Sequence, residues 1–140
     1  MQASSLRRTS AADKVARCRV TSLDRFLASR EGRVPTFVKC DAEGAELGIL
    51  RGARRLLRDQ PAIWMLEFHP ETAARFGHRP MEIVREFEAE AAVRYRAYRI
   101  MYPSGELVPL APRHEADLFN AVFVPPALDQ RLAQYRPGAS

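Results

Sequence analysis

The sequence predicts an α/β fold, with parallel strands joined by crossover helices and an antiparallel edge at the carboxyl-terminal side. Three observations predict it. Strand-like and helix-like patterns alternate from residue 16 to about residue 92, which argues a parallel sheet. From Tyr95 onward, strand-like runs follow one another without helices between them, which argues antiparallel pairing. Finally, the run Phe37-Val38-Lys39-Cys40-Asp41-Ala42-Glu43-Gly44-Ala45-Glu46 delivers an aspartate to the end of a short strand. Two further carboxylates follow within a turn, and Gly44 stands where the chain swings into a helix. Ligands of open α/β sheets bind beyond the carboxyl ends of the strands.

Met1 to Asp13 is polar and reads as a tail. Ala16, Cys18 and Val20 alternate with Arg17, Arg19 and Thr21, the period-two pattern of a half-buried strand. Thr21 and Asp24 have capping-box spacing for a short helix with Leu23, Phe26 and Leu27 on its apolar side, and Gly32 ends that region. The strand Thr36 to Asp41 follows. From Ala45 to Arg58, apolar residues recur at three- and four-residue steps, predicting one helix with Arg51, Arg54, Arg55 and Arg58 on its wet side. Pro61 closes it, and Ala62 to Phe68 reads as a buried parallel strand ending near Glu67. This strand should lie beside Thr36 to Asp41, with Asp41 and Glu67 on the same edge of the sheet.

Pro70 to Phe76 fits a turn of helix, and Pro80 opens a helix over Met81 to Ala92. Strands are expected at Tyr95 to Tyr102, Glu106 to Leu110 and Leu118 to Val124, where Pro125-Pro126 stops the last. The tail from Ala127 holds room for one helical turn. The chain divides into a polar tail (1–13), a domain (14–126) and a C-terminal tail (127–140).

Asp41 is the leading candidate site residue. An aspartate just before a helix also fits an N-cap. Glu43 and Glu46 lie in the first helical turn, where the helix dipole stabilises acids without any function; site and structural readings stand about equal, the site reading slightly ahead for Glu46. Glu67 ends the next strand, so it joins the candidates. His69 is either a general base for a hydroxyl acceptor or a loop residue, the second being the commoner case. His78 and His114 read as surface residues. Gly44, Gly48 and Gly52 read as a close-packing stripe between helix and sheet, and Trp64 and Phe68 as core. The carboxylates do not follow a calcium-loop pattern, and no metal is expected.

The 140 residues suffice for one core. The net charge of +5 is carried almost wholly by arginine, since Lys14 and Lys39 are the only lysines. The arginines are scattered with acids among them, which argues against a nucleic-acid partner. Cys18 and Cys40 fall in predicted strands as free thiols, suiting a reducing, cytoplasmic setting. No stretch approaches the length of a membrane span.

Val20-Thr21-Ser22-Leu23-Asp24, then Val38 to Glu46, then Leu50-Arg51-Gly52-Ala53, then Pro61-Ala62-Ile63 with Leu66-Glu67 resemble, in order, the motifs of the FkbM family. The resemblance covers roughly residues 4 to 125 and is sharpest from Val20 to Pro70. It implies a partial class I (Rossmann-like) methyltransferase fold. It also implies S-adenosylmethionine as cofactor and methyl transfer to the oxygen of a small-molecule or glycan hydroxyl acceptor. Asp41, Glu43, Glu46 and Glu67 are the catalytic candidates it implies, with Glu46 closing the family's D-x-E-G-x-E pattern.

The family also leads one to expect a glycine-rich turn for the cofactor, because glycine lets backbone approach a ligand closely. None of the seven glycines forms a G-x-G. The expectation is therefore the carboxyl-terminal half of such a domain, without useful cofactor affinity alone. The strand Phe37 to Asp41 would have an open edge available for association. The competing reading is a non-catalytic remnant or partner-binding module using that edge.

Overall fold

The computed structural model describes residues 17–30 and 33–138. The expected polar tail and Gly32 lie outside the described residues. Five strands form one sheet in the order β1-β2-β5-β3-β4. They are β1 (Phe37–Cys40), β2 (Ile63–Phe68), β3 (Arg96–Ile100), β4 (Leu107–Pro109) and β5 (Phe119–Val124). The helices are α1 (Leu23–Ala28), α2 (Glu46–Arg51), α3 (Arg54–Asp59), α4 (Pro70–Arg75) and α5 (Met81–Glu90).

β1 and β2 pair in parallel, Phe37 opposite Ile63 and Cys40 opposite Leu66, as the alternation of patterns requires. β5 runs antiparallel to both β2 and β3. It therefore lies inside the sheet, not at an edge. Its burial explains the position: Phe119, Ala121, Val122, Phe123 and Val124 are all buried, which needs neighbours on both sides and cover on both faces. The shorter, Pro109-bearing β4 takes the edge, where a missing N–H is tolerated.

The pleat sorts side chains between two layers. Cys40, Trp64, Leu66, Phe68, Ala121 and Phe123 face α2, α3 and α5 in the main core. Phe87 of α5 stacks on Phe123 with ring centroids 4.1 Å apart and meets Trp64 edge-on at 6.0 Å. On the other face Tyr98, Val122 and Val124 are covered by Leu128 and Leu132. Those two leucines belong to a 3-10 segment, Pro126–Tyr135, well beyond the single turn expected there.

Four local expectations are corrected. Residues 17–20 carry no strand, and Cys18 and Val20 are exposed; Ala16 of the expected strand lies outside the described residues. Ser22, not Thr21, caps α1, accepting from the Arg25 N–H at 3.2 Å. The helix expected over Ala45 to Arg58 is broken at Gly52-Ala53 into α2 and α3. Asp24 makes the break affordable: its carboxylate accepts from the N–H groups of Arg55 (2.9 Å) and Leu56 (3.1 Å), capping α3 from a distant part of the chain. The glycine stripe also dissolves. Gly48 faces open space, Gly52 packs on Ser22, and Gly44 alone presses closely on backbone.

α2 and α3 are tied to α5 by ion pairs of Arg51 and Arg54 with Glu86 and of Arg58 with Glu90. The arginines are half exposed, so these pairs contribute little individually.

Candidate functional site

The parallel register fixes the geometry of the site. Cys40 stands opposite Leu66, so the next residues, Asp41 and Glu67, are neighbours at the carboxyl ends of β1 and β2. The pleat turns Lys39, Met65 and Glu67 away from the main core, toward the less covered face. The chain then leaves β1 through a tight turn. Glu43 has φ 53° and Gly44 has φ 102°, two successive residues in the left-handed region. That turn brings the Glu43 carboxylate back over the strand ends. Carboxylate oxygens of Asp41, Glu43 and Glu67 all lie within 4.8 Å of one another. These are the three groups through which a hard divalent cation would be held.

Glu46 does not join them. It is buried, 3 % exposed, and its Oε1 accepts from the Ala42 N–H at 2.7 Å. It ties down the backbone of the turn from within α2. Asp41 is no N-cap of α2, since that helix has no side-chain cap. Instead its Oδ2 pairs with the Lys39 ammonium at 2.8 Å, and that bond holds the Lys39 pKa above the ordinary lysine value.

Burial and the facing Asp41 and Glu43 carboxylates raise the Glu67 pKa above its ordinary range, and His69 opposes them. A raised carboxyl pKa means that folding binds a proton that the unfolded chain releases. The charged cluster is then a stability penalty at neutral pH that vanishes below the ordinary glutamate value of 4.5. Glu67→Gln is accordingly expected to stabilise the chain at pH 7 by up to about 1 kcal/mol, the ceiling for exposed charge pairs. Urea denaturation at pH 7 and pH 4 checks it; a gain equal at both pH values would refute the electrostatic origin. Burial also pushes the Cys40 thiol up to about 12, so it is an inert core group.

His69 follows β2 and precedes α4. Its Nδ1 is buried without a hydrogen-bond partner among the described residues. His78, expected at the surface, is half-buried and makes a structural contact as well. Its Nε2–H donates to the Gly44 carbonyl at 2.8 Å, while Nδ1 lies 3.3 Å from the Arg79 carbonyl. It thus pins the acidic turn to the loop after α4. His114, also expected at the surface, is buried; its Nδ1 accepts from the Ala111 N–H at 3.2 Å, and burial lowers its pKa.

Sequence reasoning missed His78 because its contact spans 34 residues and carries no local signal. Lys39 could have been found, since residues two apart on a strand share a face.

Two surface depressions lie at opposite ends of the sheet. One, lined by Arg30, Pro35, Arg55 and Gln60, lies at the amino ends of β1 and β2, away from the acids. The other, of about 430 Å³, is lined by Pro70, His78, Arg79, Pro112, Arg113 and Glu115 and lies at the carboxyl-end side of β2. No helix among the described residues is long and apolar enough to cross a membrane.

No curated protein and no solved structure matches the chain. The family model of the methyltransferase FkbM domain does match, over residues 2–100 of the 140, a span that includes β1, the acidic turn and β2. The chain belongs to the FkbM methyltransferase family.

Proposed function

We propose that the chain carries the acid-lined part of an S-adenosylmethionine-dependent site that methylates a hydroxyl acceptor, on a partial Rossmann-like fold. The observation that carries the reading is the convergence of Asp41, Glu43 and Glu67 at the carboxyl ends of two parallel strands. When bound, the cofactor supplies a methyl group on a cationic sulfonium, beside a cationic amino group. Carboxylates suit both charges, so the donor set fits this end of the cofactor. Lys39 neutralises Asp41 in part, leaving Glu43 and Glu67 as the uncompensated acids.

An acceptor hydroxyl must give up its proton as its oxygen attacks the methyl carbon. Glu67 is the residue for that proton. Its raised pKa makes it a stronger base than an ordinary carboxylate, and it is the least exposed of the three acids. Asp41 and Glu43 set the negative field around it. Glu46 and His78 hold the turn that presents Glu43.

The sequence offers no G-x-G turn to approach the adenosine. Contacts worth ~1 kcal/mol each are lost with it, so binding by the chain alone should be weaker by orders of magnitude than a full site gives. Calorimetric titration of the purified chain with S-adenosylmethionine is expected to show no low-micromolar binding. Weak saturable binding that disappears in Asp41→Ala supports the reading. Binding that Asp41→Ala leaves intact rejects the site assignment.

A second reading is favoured by one observation. β1 has no strand on its outer side among the described residues, and Phe37 on that strand is 52 % exposed. Such an edge accepts another strand, so the chain would serve as a partner-binding module. A stably folded chain with no cofactor binding at any concentration would favour it.

A further inference from the structure

The depression lined by Pro70, His78, Arg79, Pro112, Arg113 and Glu115 has no role in the site described above. We propose that it binds the oxyanion end of the ligand, a carboxylate or a phosphate, and that Arg113 recognises it. The inference rests on the reading of the acidic edge as the place of reaction.

Position is the first argument. Pro70 follows the carboxyl end of β2, and Pro112 to Glu115 lead into β5, whose Phe119 pairs with Phe68 at that same end. His78 forms a wall of the depression and donates to the Gly44 carbonyl, in the turn that presents Glu43. His78 therefore touches both the depression and the backbone of the acidic turn, and α4 packs against the same turn. A volume of about 430 Å³ suits a small molecule.

Charge is the second argument. Arg79 is paired with Glu115, so these two cancel. Arg113 pairs with no acid among the described residues, and it lines the depression. The acids beyond His78 repel an anion. A ligand with one anionic end and one hydroxylated end therefore has a single favourable orientation. Its oxyanion lies at Arg113, and its hydroxyl points toward Asp41 and Glu67. The proline rings give the intervening carbon skeleton an apolar wall. Guanidinium is the side chain best shaped for either oxyanion.

The test needs no cofactor, so failure of S-adenosylmethionine to bind leaves its result untouched. The full chain would be titrated with glucuronate, glucose 6-phosphate and glucose, reading the His78 ring signals by NMR. Saturable shifts with one or both anions and none with glucose are expected, and which anion binds tells carboxylate from phosphate. Arg113→Ala should weaken that binding about fivefold or more. Arg131→Ala, removing another exposed arginine, should leave it unchanged. Far-ultraviolet circular dichroism confirms that both variants are folded. Shifts equal for glucose, no saturable shift with either anion, or anion binding that survives Arg113→Ala would each overturn the proposal.

Discussion

Gly44→Ala should cost the chain about 3 kcal/mol or more, a large fraction of the stability of a domain this size. Two effects add at this position. The backbone has φ 102°, where a side chain is strained. In addition, a Cβ here would lie 2.3 Å from the Thr72 carbonyl oxygen and 2.9 Å from the Phe76 ring. Thr72 belongs to α4, and its hydroxyl and the Ala73 N–H are bound to the His69 carbonyl, so that backbone cannot withdraw cheaply. Gly77 separates the two effects, because it has φ 78° but nothing within 4 Å of an added Cβ. Gly77→Ala should therefore cost about 1 kcal/mol, from strain alone. Urea denaturation of both variants is the measurement. Equal losses would mean that the contact with α4 carries nothing.

The same comparison shows what the sequence could and could not tell. A glycine after Asp-Ala-Glu announced a turn, and the turn is there. Its tight seat on α4 was illegible, because Thr72 lies 28 positions on with nothing in its neighbourhood to mark it. Parallel pairing of β1 with β2 was legible from alternation and apolar runs, and the shared register then placed Asp41 beside Glu67. Glu46 shows the limit. Its spacing from Asp41 is that of a site residue, yet its carboxylate serves the Ala42 N–H inside the turn. Spacing places a residue on a turn but does not say which way its side chain points. The break between α2 and α3 was hidden for a related reason: the apolar period runs through it, and the cap that permits it comes from Asp24. Likewise the sequence marks β5 as a strong strand but not its seat between β2 and β3, which only burial on both faces decides.

Asp129 gives the second large effect, and it lies where sequence patterns promised only a tail. The residue is 6 % exposed in the 3-10 segment Pro126–Tyr135. Its Oδ1 accepts from the Tyr98 hydroxyl at 3.1 Å and from Arg136, and its Oδ2 accepts from Arg96 at 2.7 Å. One carboxylate therefore fastens the segment to β3 and holds Leu128 and Leu132 over the second face of the sheet. Asp129→Ala leaves the buried Tyr98 hydroxyl and the Arg96 guanidinium without their acceptor and leaves Arg136 only the residue's backbone carbonyl. A loss of about 2 kcal/mol is expected, below the range for a fully buried pair because Arg96 is largely exposed. The pH dependence carries a definite sign. Burial disfavours the Asp129 charge, but the hydrogen bonds from Arg136 and Tyr98 outweigh it and set the pKa below the ordinary value of 3.8. A depressed carboxyl pKa means a contribution present in full above that ordinary value and lost as pH falls through the lower, folded one. Wild type should therefore exceed Asp129→Asn in stability at pH 7, and the gap should close below about pH 4. This is opposite to Glu67→Gln, whose charge penalises the fold at neutral pH. Thermal unfolding of the two variants across pH 3 to 7 tests both signs together. If Asp129→Asn matched wild type at every pH, the clamp would contribute nothing, and the hold of the segment on the sheet would have to come from Leu128 and Leu132 alone.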